Sequence, residues 1–427
     1  MLKVFYNFLI KIFYIPYCLI IFIRIYLGKE HKIKFKEKIL KNKIKRPEGF
    51  LFWFHVASIG ELTSIFPLID FFLKKDLKLN FLITTVTLSS FNELERKYKN
   101  NKRIFHQFLP YDTNPLINNF FEIWKPNLIS FVDSEIWPNF FLKIKREKAN
   151  FILLNARITK KSFKRWSLVK NFASELLESV SMSISSNRET INYLNYFKAK
   201  NIKYFGNIKF CSVLNKPEEF GNNQFNQVSK KKIWCAVSIH PGEEKFCGQV
   251  HSILKMTDNN IMTIMIPRHL HRIKQISSNL KKMGLKVQVK NENDNIEYSS
   301  DIVIVNYYGS VKKYLGKFKY IFIGKSLLKK LEKDGGQNPI DAAKLGCYIY
   351  HGPYVYNFKE IYQYLDDHKY SEEINNPNIF ANELHKNFQN KFEINKENIE
   401  KINTYSNEIF KNLIEEYDKY IYASKKT

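Results

Sequence analysis

The stretch LFWFHVASIGELTSIFPLI, residues 51–69, decides the architecture. Residues 51–57 are apolar or aromatic almost throughout, the pattern of a strand covered on both faces in a parallel sheet. The run breaks at Ser58-Ile59-Gly60 and resumes with helical periodicity, so that Glu61 falls in the first helical turn. A glycine beside an acid at the carboxyl end of a parallel strand stands where open α/β sheets keep their ligands. A first-turn acid also complements the helix dipole with no ligand at all. Both readings of Glu61 stand at this point.

Outward from this stretch, strands are expected at 51–57, 81–87, 128–132, 151–155, 182–185 and 202–205. Helices are expected between them, at 62–74, 89–98, 139–148 and 161–177. Alternation of this kind implies crossover units and a parallel sheet. The polar stretch NKPEEFGNNQFNQVSKKK, 215–232, lacks periodicity and reads as a linker. A second alternating run follows, with strands expected at 233–238, 261–266, 286–289, 302–306, 320–324 and 347–351, and 394–423 reads as a trailing helix. The expected division is therefore an amino-terminal apolar and polybasic segment (1–46), a first Rossmann-like domain (47–214), a linker (215–232), a second Rossmann-like domain (233–393) and a carboxyl-terminal helix (394–427) packing back on the first domain. The expected fold is α/β of the GT-B kind, two Rossmann-like domains facing a central cleft. Architecture alone leaves the chemistry open, because epimerases share it.

At 427 residues, with 44% hydrophobic and 15% aromatic side chains, the chain can fill two interiors. The formal charge of +27 is mostly lysine, in a chain also rich in Asn, Ile and Phe. Compositional bias accounts for part of it; an anionic membrane face or an anionic substrate are the functional alternatives. Nucleic acid is not expected, since no RNP-like motif or basic-aromatic repeat is present. The five cysteines, Cys18, Cys211, Cys235, Cys247 and Cys347, have no paired spacing, which argues against disulfides and against a zinc site. At the amino terminus, the apolar run 12–23 is about two-thirds of a bilayer span, flanked by Lys11 and Arg24. The lysine-dense segment 29–46 follows. Together they read as an anchor, spanning or in-plane, attracted to anionic lipid on a cytoplasmic membrane face.

Candidate chemical groups fall at strand-to-helix junctions in both halves. In the first these are Ser58, Gly60 and Glu61; Glu135 in DSEIWPN (133–139); Arg157 in LNARIT (154–159); and Lys209 in GNIKF (206–210). A carboxylate can take the proton of an attacking hydroxyl when its site raises its pKa. His55 lies inside an apolar strand and reads as a structural histidine. In the second half the candidates are Ser238, His240 and Glu243 in SIHPGEE (238–244), Arg268 and His269 in IPRH (266–269), and Gly309 with Ser310. Gly335, Gly336, Asn338 and Asp341 follow in GGQNPIDAA (335–343). Arginine suits bidentate phosphate recognition, and glycine turns let N–H groups approach an anion. Asn338 as N-cap, Pro339 at N1 and Asp341 at N3 equally make a helix start that needs no ligand.

The ordered set HVASIGE (55–61), DSEIWPN, LNARIT, GNIKF, SIHPGEE, IPRH, GGQNPIDAA and HGPYVYNFKEI (351–361) resembles the 3-deoxy-D-manno-oct-2-ulosonic acid (Kdo) transferases. The resemblance spans most of the chain and implies an inverting, metal-independent GT-B transferase with no cofactor. Its donor would be CMP-Kdo and its acceptor the non-reducing glucosamine of the tetra-acylated lipid A precursor, at the cytoplasmic face of the inner membrane. By the same resemblance Glu61 is the general base. Ser58, Gly60, Glu135, Arg157 and Lys209 shape the substrate site, and Arg268 grips the CMP phosphate among the nucleotide-binding set of the second half. The chain departs from the family pattern at Ser310 (usually Glu), Lys325 (usually Gly), Gln337 (usually His) and Asp341 (usually Glu). These departures leave open a different CMP-activated ulosonic acid or nucleotide sugar, or a silent lipid-binding relative.

Overall fold

Strands covered on both faces need apolar and β-branched side chains throughout, whereas edge strands do not, and this contrast sets which strands are visible from composition. The structure, a computed structural model, describes residues 2–41, 45–212, 228, 230–389 and 396–423. It divides into two compact units, Met1–Val213 with Tyr405–Thr427, and Leu214–Thr404. Most of the expected linker at 215–232, and the expected boundary between 393 and 394, lie outside the described residues.

The first unit holds a seven-stranded sheet of β1 (Phe50–Val56), β2 (Leu79–Thr85), β3 (Ile104–Phe108), β4 (Leu128–Val132), β5 (Asn150–Ala156), β6 (Met182–Ser185) and β7 (Ile202–Tyr204). All pairings are parallel, in the order β3-β2-β1-β4-β5-β6-β7. The chain steps from β1 to one edge and then returns to add β4 on the other side of β1. The crevice between β1 and β4 is thus a topological switch point, where such sheets bind ligands at their carboxyl ends. The second unit repeats the device with β8 (Lys232–Ile239), β9 (Ile261–Pro267), β10 (Val287–Lys290), β11 (Ile302–Val305), β12 (Tyr320–Ile323), β13 (Tyr348–His351) and β14 (Ser371–Glu373). Their order is β10-β11-β9-β8-β12-β13-β14, all parallel, with the switch between β8 and β12.

Two strands escaped the reading of the sequence. In β3 the run is interrupted by His106 and Gln107, which are paired inside the fold with Thr85 Oγ1 and Trp124 Nε1. In β14 the residues are Ser-Glu-Glu, at the sheet edge. The helix expected over 161–177 is two helices, Lys160–Ser167 and Lys170–Leu177. Only the second has fully buried apolar residues, Phe172, Ala173, Leu176 and Leu177; the first packs with the partly buried Phe163, stacked on Tyr193 at 4.0 Å, and Trp166.

Aromatic side chains hold each unit together. Trp53 packs against Phe120, Phe121, Phe131 and Phe140, and is fully buried. Phe380 plays the corresponding part in the second unit, against Trp234, Phe246, Phe322 and Tyr350. Each such burial is worth about 1.5–3 kcal/mol. In the long terminal helix Lys396–Ala423, Tyr417 is fully buried against Phe52, Phe54 and Phe72, with its hydroxyl 2.6 Å from Ser130 Oγ.

The chain starts with α1 (Leu2–Ile12) and α2 (Tyr14–Tyr26), bent by 42° at their junction. Among the described residues no single helix is long and apolar enough to cross a membrane, although this bent pair passes by length and composition. One side of the pair is fixed to the first unit, with Tyr17 stacked on Tyr111 at 4.3 Å. The other side leaves Phe5, Phe8, Ile15, Leu19, Phe22 and Ile23 exposed.

Candidate active site

The helix Ile59–Lys75 begins at the carboxyl end of β1 with Ser58 as its N-cap, and Ser58 Oγ accepts the Glu61 N–H at 3.3 Å. The carboxylate folds back over the same turn. Ala57 N–H donates to Oε2 at 2.7 Å and the Ser58 hydroxyl donates to Oε1 at 2.8 Å. This is a variant of the capping box, with the acid reaching one residue beyond the cap. Ser58 and Gly60 are exposed, while Glu61 beneath them is only 9% exposed. Burial pushes the Glu61 carboxyl up to about 7, and the charges of Asp133 and Glu135 add to the push. The Ala57 N–H and the Ser58 hydroxyl oppose it. A base with a pKa near neutrality is matched to taking a hydroxyl proton at neutral pH.

Across the switch point the turn after β4 is built from polar pairings. Asp133 and Asn155 both take left-handed backbone conformations, φ 63° and 55°. Such residues cost about 1–3 kcal/mol each and cluster at sites where structure is over-determined. Here the Asp133 carboxylate accepts from Asn155 Nδ2 at 2.8 Å and from Lys209 Nζ at 3.0 Å, and Asn155 Oδ1 accepts the Ile208 N–H at 3.1 Å. Arg157 donates its backbone N–H to Asp133 O, and its own carbonyl accepts the Ser134 hydroxyl. DSEIWPN, LNARIT and GNIKF are therefore one interlocked structure. Lys209 differs from expectation: its ammonium is the inward-facing counterion of Asp133, both side chains being largely buried.

Glu135 accepts from Trp137 Nε1 at 2.8 Å, and His55 Nε2 stands 3.5 Å from its Oε2. Burial, the largest single influence, raises its carboxyl. The interactions with His55 and the Trp137 N–H together outweigh burial and hold it below the usual range. The two carboxyls are thus pushed apart, Glu61 upward and Glu135 downward, which is the separation that distinguishes a proton acceptor from a fixed charge. His55 is the residue that sequence reasoning passed over. It is fully buried, with Nδ1 paired to Thr84 Oγ1 at 3.0 Å, and Thr84 Oγ1 accepts Trp53 Nε1–H at 2.8 Å. An apolar strand context suggested a satisfied histidine, yet Nε2 has no hydrogen-bond partner and points toward Glu135.

In the second unit, the turns at the β8–β12 switch form a cationic cluster. Arg268 is exposed and makes no ion pair among the described residues; its N–H donates to Ile239 O. The His240 and His269 rings lie 5.5 Å apart, and those of His269 and His271 5.6 Å apart. Burial pushes His240 down to about 4, aided by the charges of Lys325, His269 and Arg268. His269 is lowered by burial and by His271, Arg268 and Arg272. The neutral imidazoles can offer hydrogen bonds to an anion, and Arg268 and Lys325 charge, although Lys325 Nζ already lies 3.8 Å from Asp334 Oδ2. Ser238, at φ 54°, turns the chain into this cluster, and Gly309 caps the short helix Ser310–Leu315 at the end of β11.

Several expected nucleotide contacts are turned inward. Glu243 is 0% exposed, and its carboxylate accepts four backbone N–H groups, from His240 (2.8 Å), Lys325 (2.8 Å), Ser326 (2.9 Å) and Leu327 (3.1 Å). It pins the β8 turn to the β12 turn. Ser310 is buried, its hydroxyl donated to Tyr307 O at 3.2 Å. A Cβ on Gly335 would lie 2.0 Å from Tyr354 O, and Gly336 N–H donates to Lys325 O at 2.6 Å, so these glycines answer to neighbouring backbone. The helix Ile340–Lys344 starts one residue later than expected, Asn338 Oδ1 accepting the Ile340 N–H at 3.1 Å. Asp341 remains partly open, 3.7 Å from Lys312 Nζ. Among the described residues no group of His, Cys, Asp or Glu is assembled to hold a metal ion.

Residues 30–212 match the family model described as 3-Deoxy-D-manno-octulosonic-acid transferase (kdotransferase). The chain is 32% identical over 340 residues to a 3-deoxy-D-manno-octulosonic acid transferase of Rickettsia bellii, covering 79% of each chain. It is 25% identical over 326 residues to that of Haemophilus influenzae, covering 75% of this chain and 74% of the relative. Among solved structures, a glycosyltransferase from Rickettsia africae superposes with TM-score 0.56 at 10% identity, covering 88% of this chain and 99% of the other. A UDP-GlcNAc 2-epimerase from Neisseria meningitidis gives TM-score 0.55 at 12% identity, covering 86% and 100%. The structural likenesses establish the GT-B architecture, which transferase and epimerase share. The sequence relationship goes further: this chain belongs to the 3-deoxy-D-manno-octulosonic acid transferase family and is a glycosyltransferase.

Proposed function

We propose that the protein transfers Kdo from CMP-Kdo to the lipid A precursor, in lipopolysaccharide biosynthesis, by a single inverting displacement with Glu61 as base. The observation that carries this reading is the Glu61 carboxyl, buried under the exposed Ser58 and Gly60 and raised to about 7. A glucosamine hydroxyl gives its proton to Glu61 as its oxygen bonds to the anomeric carbon of Kdo. The bond from that carbon to the CMP phosphate oxygen breaks, and CMP leaves as an anion. Donors fixed where charge develops act without reorganisation; Arg268, His240, His269 and the neighbouring Lys325 supply them to the leaving phosphate. Asp341, partly exposed at its helix start, is assigned to the ribose hydroxyls. Glu135 and Arg157 are assigned to the sugar and acceptor, with Glu135 kept anionic by His55.

The exposed apolar side of α1 and α2 is assigned to the membrane, where it lies in the plane of the cytoplasmic face of the inner membrane. The bend between the helices and their fixed inner side support an in-plane anchor. The exposed Lys29, Lys32, Lys36, Lys41 and Lys45 meet anionic lipid, at about 1 kcal/mol per residue near the surface, whereas Lys38 of the same segment is buried against Glu30 and takes no part. The test is product analysis by mass spectrometry after incubation with CMP-Kdo and a tetra-acylated acceptor. Addition of one or more Kdo residues is expected. Failure of the intact protein to transfer Kdo, with transfer from another CMP-activated sugar, would refute the donor assignment.

A further inference from the structure

The helix that faces outward with Phe5 and Phe8 is also hydrogen-bonded to the turn carrying Glu135. The Tyr6 hydroxyl donates to Asp112 Oδ2 at 2.6 Å. Asp112 is fully buried, and the same carboxylate accepts the backbone N–H groups of Asn139 (3.1 Å) and Phe140 (3.2 Å), at the start of the helix Pro138–Glu147. Asn139, 2% exposed, donates from Nδ2 to Asp112 O at 2.6 Å and to Asn7 Oδ1 at 2.9 Å. Asn139 closes the DSEIWPN turn, and Trp137, the N-cap of the same helix, is the donor that holds Glu135.

A helix serving only to attach the protein to lipid needs apolar contact with the body and an apolar outer face. It does not need two polar side chains spent on a buried junction, where a lost partner leaves a desolvated group behind. We propose that α1 is a positioning element. Tyr6 and Asn7, through Asp112 and Asn139, hold the DSEIWPN turn, so that the seating of α1 on a lipid surface sets the placement of Glu135. Turnover then depends on α1 in two separable ways: its outer face recruits the enzyme to lipid, and its inner face completes the site. This rests on the reading of the Glu135 turn as part of the acceptor site.

The test uses the full chain in detergent micelles with a micelle-dispersed acceptor, where attachment to a bilayer is not required. The variants are Tyr6→Phe, Asn7→Ala and the pair combined. Amide hydrogen exchange over 133–141 reads the junction without reference to activity, and is expected to quicken about tenfold or more in the double variant, as local opening becomes easier. If exchange there is unchanged, the proposal is overturned, whatever the activity. The kinetic arm expects kcat to fall about tenfold or more in the double variant at unchanged KM for CMP-Kdo, since small displacements of positioning groups are costly. Micellar kcat within twofold of the parent would also overturn it. Wild-type protein inactive with CMP-Kdo would count against the assigned donor, while the exchange result would still decide the role of α1. Tyr6→Phe keeps the ring and removes a single hydroxyl, so it serves if the double variant fails to fold.

Discussion

Replacing Glu61 with Gln should make the protein more stable and less active at once, and the two effects should part company with pH. The carboxyl is raised from 4.5 to about 7, chiefly by burial, so the fold prefers its neutral form. A group with a raised folded pKa favours the native state fully only below its unfolded value, and that preference is lost as pH climbs from 4.5 through 7. A shift of this size corresponds to about 3 kcal/mol by proton linkage. Gln has the same shape and keeps an acceptor for the Ala57 N–H, but it cannot ionise. The stability difference between Glu61→Gln and wild type should therefore grow by about 3 kcal/mol between pH 4 and pH 8, in favour of the variant. Denaturant titrations at the two pH values, following the tryptophans of the first unit, measure it. Turnover should move the opposite way, falling at least about 10²-fold in the variant. In wild type, kcat/KM should rise about tenfold per pH unit below 7 and level off above about 8. A stability difference constant with pH to within about 1 kcal/mol would show that burial does not raise this carboxyl. A loss of turnover under tenfold would remove Glu61 from the role of base.

Other perturbations probe its surroundings. His55→Phe keeps a buried ring but leaves Glu135 with Trp137 as its remaining partner; burial then lifts the Glu135 carboxyl, and turnover should fall more steeply on the acid side of the pH–rate profile. Lys209→Met strips the buried Asp133 of its counterion, with an expected loss of about 3–5 kcal/mol in unfolding free energy. In any variant that still folds, the Asp133 charge, no longer offset by Lys209, should move the Glu61 limb to higher pH. Arg268→Ala should raise KM for the donor about tenfold or more while changing stability by less than about 0.5 kcal/mol, since the side chain is exposed. Lys325→Gly should stabilise the second unit by about 1 kcal/mol, because Lys325 sits at φ 61° where glycine carries no Cβ penalty. The calorimetric Tm of that unit reads the difference.

That last position shows what a sequence can and cannot reveal. By the family resemblance glycine is expected where Lys325 stands, and from the sequence the departure reads either as an altered donor pocket or as compositional drift. The backbone explains the pattern differently: the turn is left-handed there, and its N–H groups at Lys325, Ser326 and Leu327 are all held by Glu243. Buried strands with alternating helices were legible because apolar runs have few other destinations. β3 was not, since its His106 and Gln107 are polar residues whose partners, Thr85 and Trp124, lie elsewhere in the chain. The turns of the second unit were legible as places, but which side chains point outward was not. Orientation depends on backbone approaches such as that of Gly335 to Tyr354, which join residues far apart in sequence.

The same distinction bears on the first unit. Composition made His55 a core residue, and it is one, at 0% exposure with Nδ1 satisfied by Thr84. Its other nitrogen stands 3.5 Å from Glu135 Oε2, beyond good hydrogen-bond range, and their interaction helps hold that carboxyl below its usual range. Glu61 shows the converse: it satisfies its helix cap in full, and burial still lifts its carboxyl to about 7 against the Ala57 N–H and Ser58 hydroxyl of that cap. Structural and chemical roles are therefore not rival explanations for these side chains. For Glu61, burial raises the carboxyl against the pull of its own cap hydrogen bonds, as the proposed base requires, whereas His55 is a core residue whose second nitrogen stands 3.5 Å from the carboxylate proposed for the acceptor site.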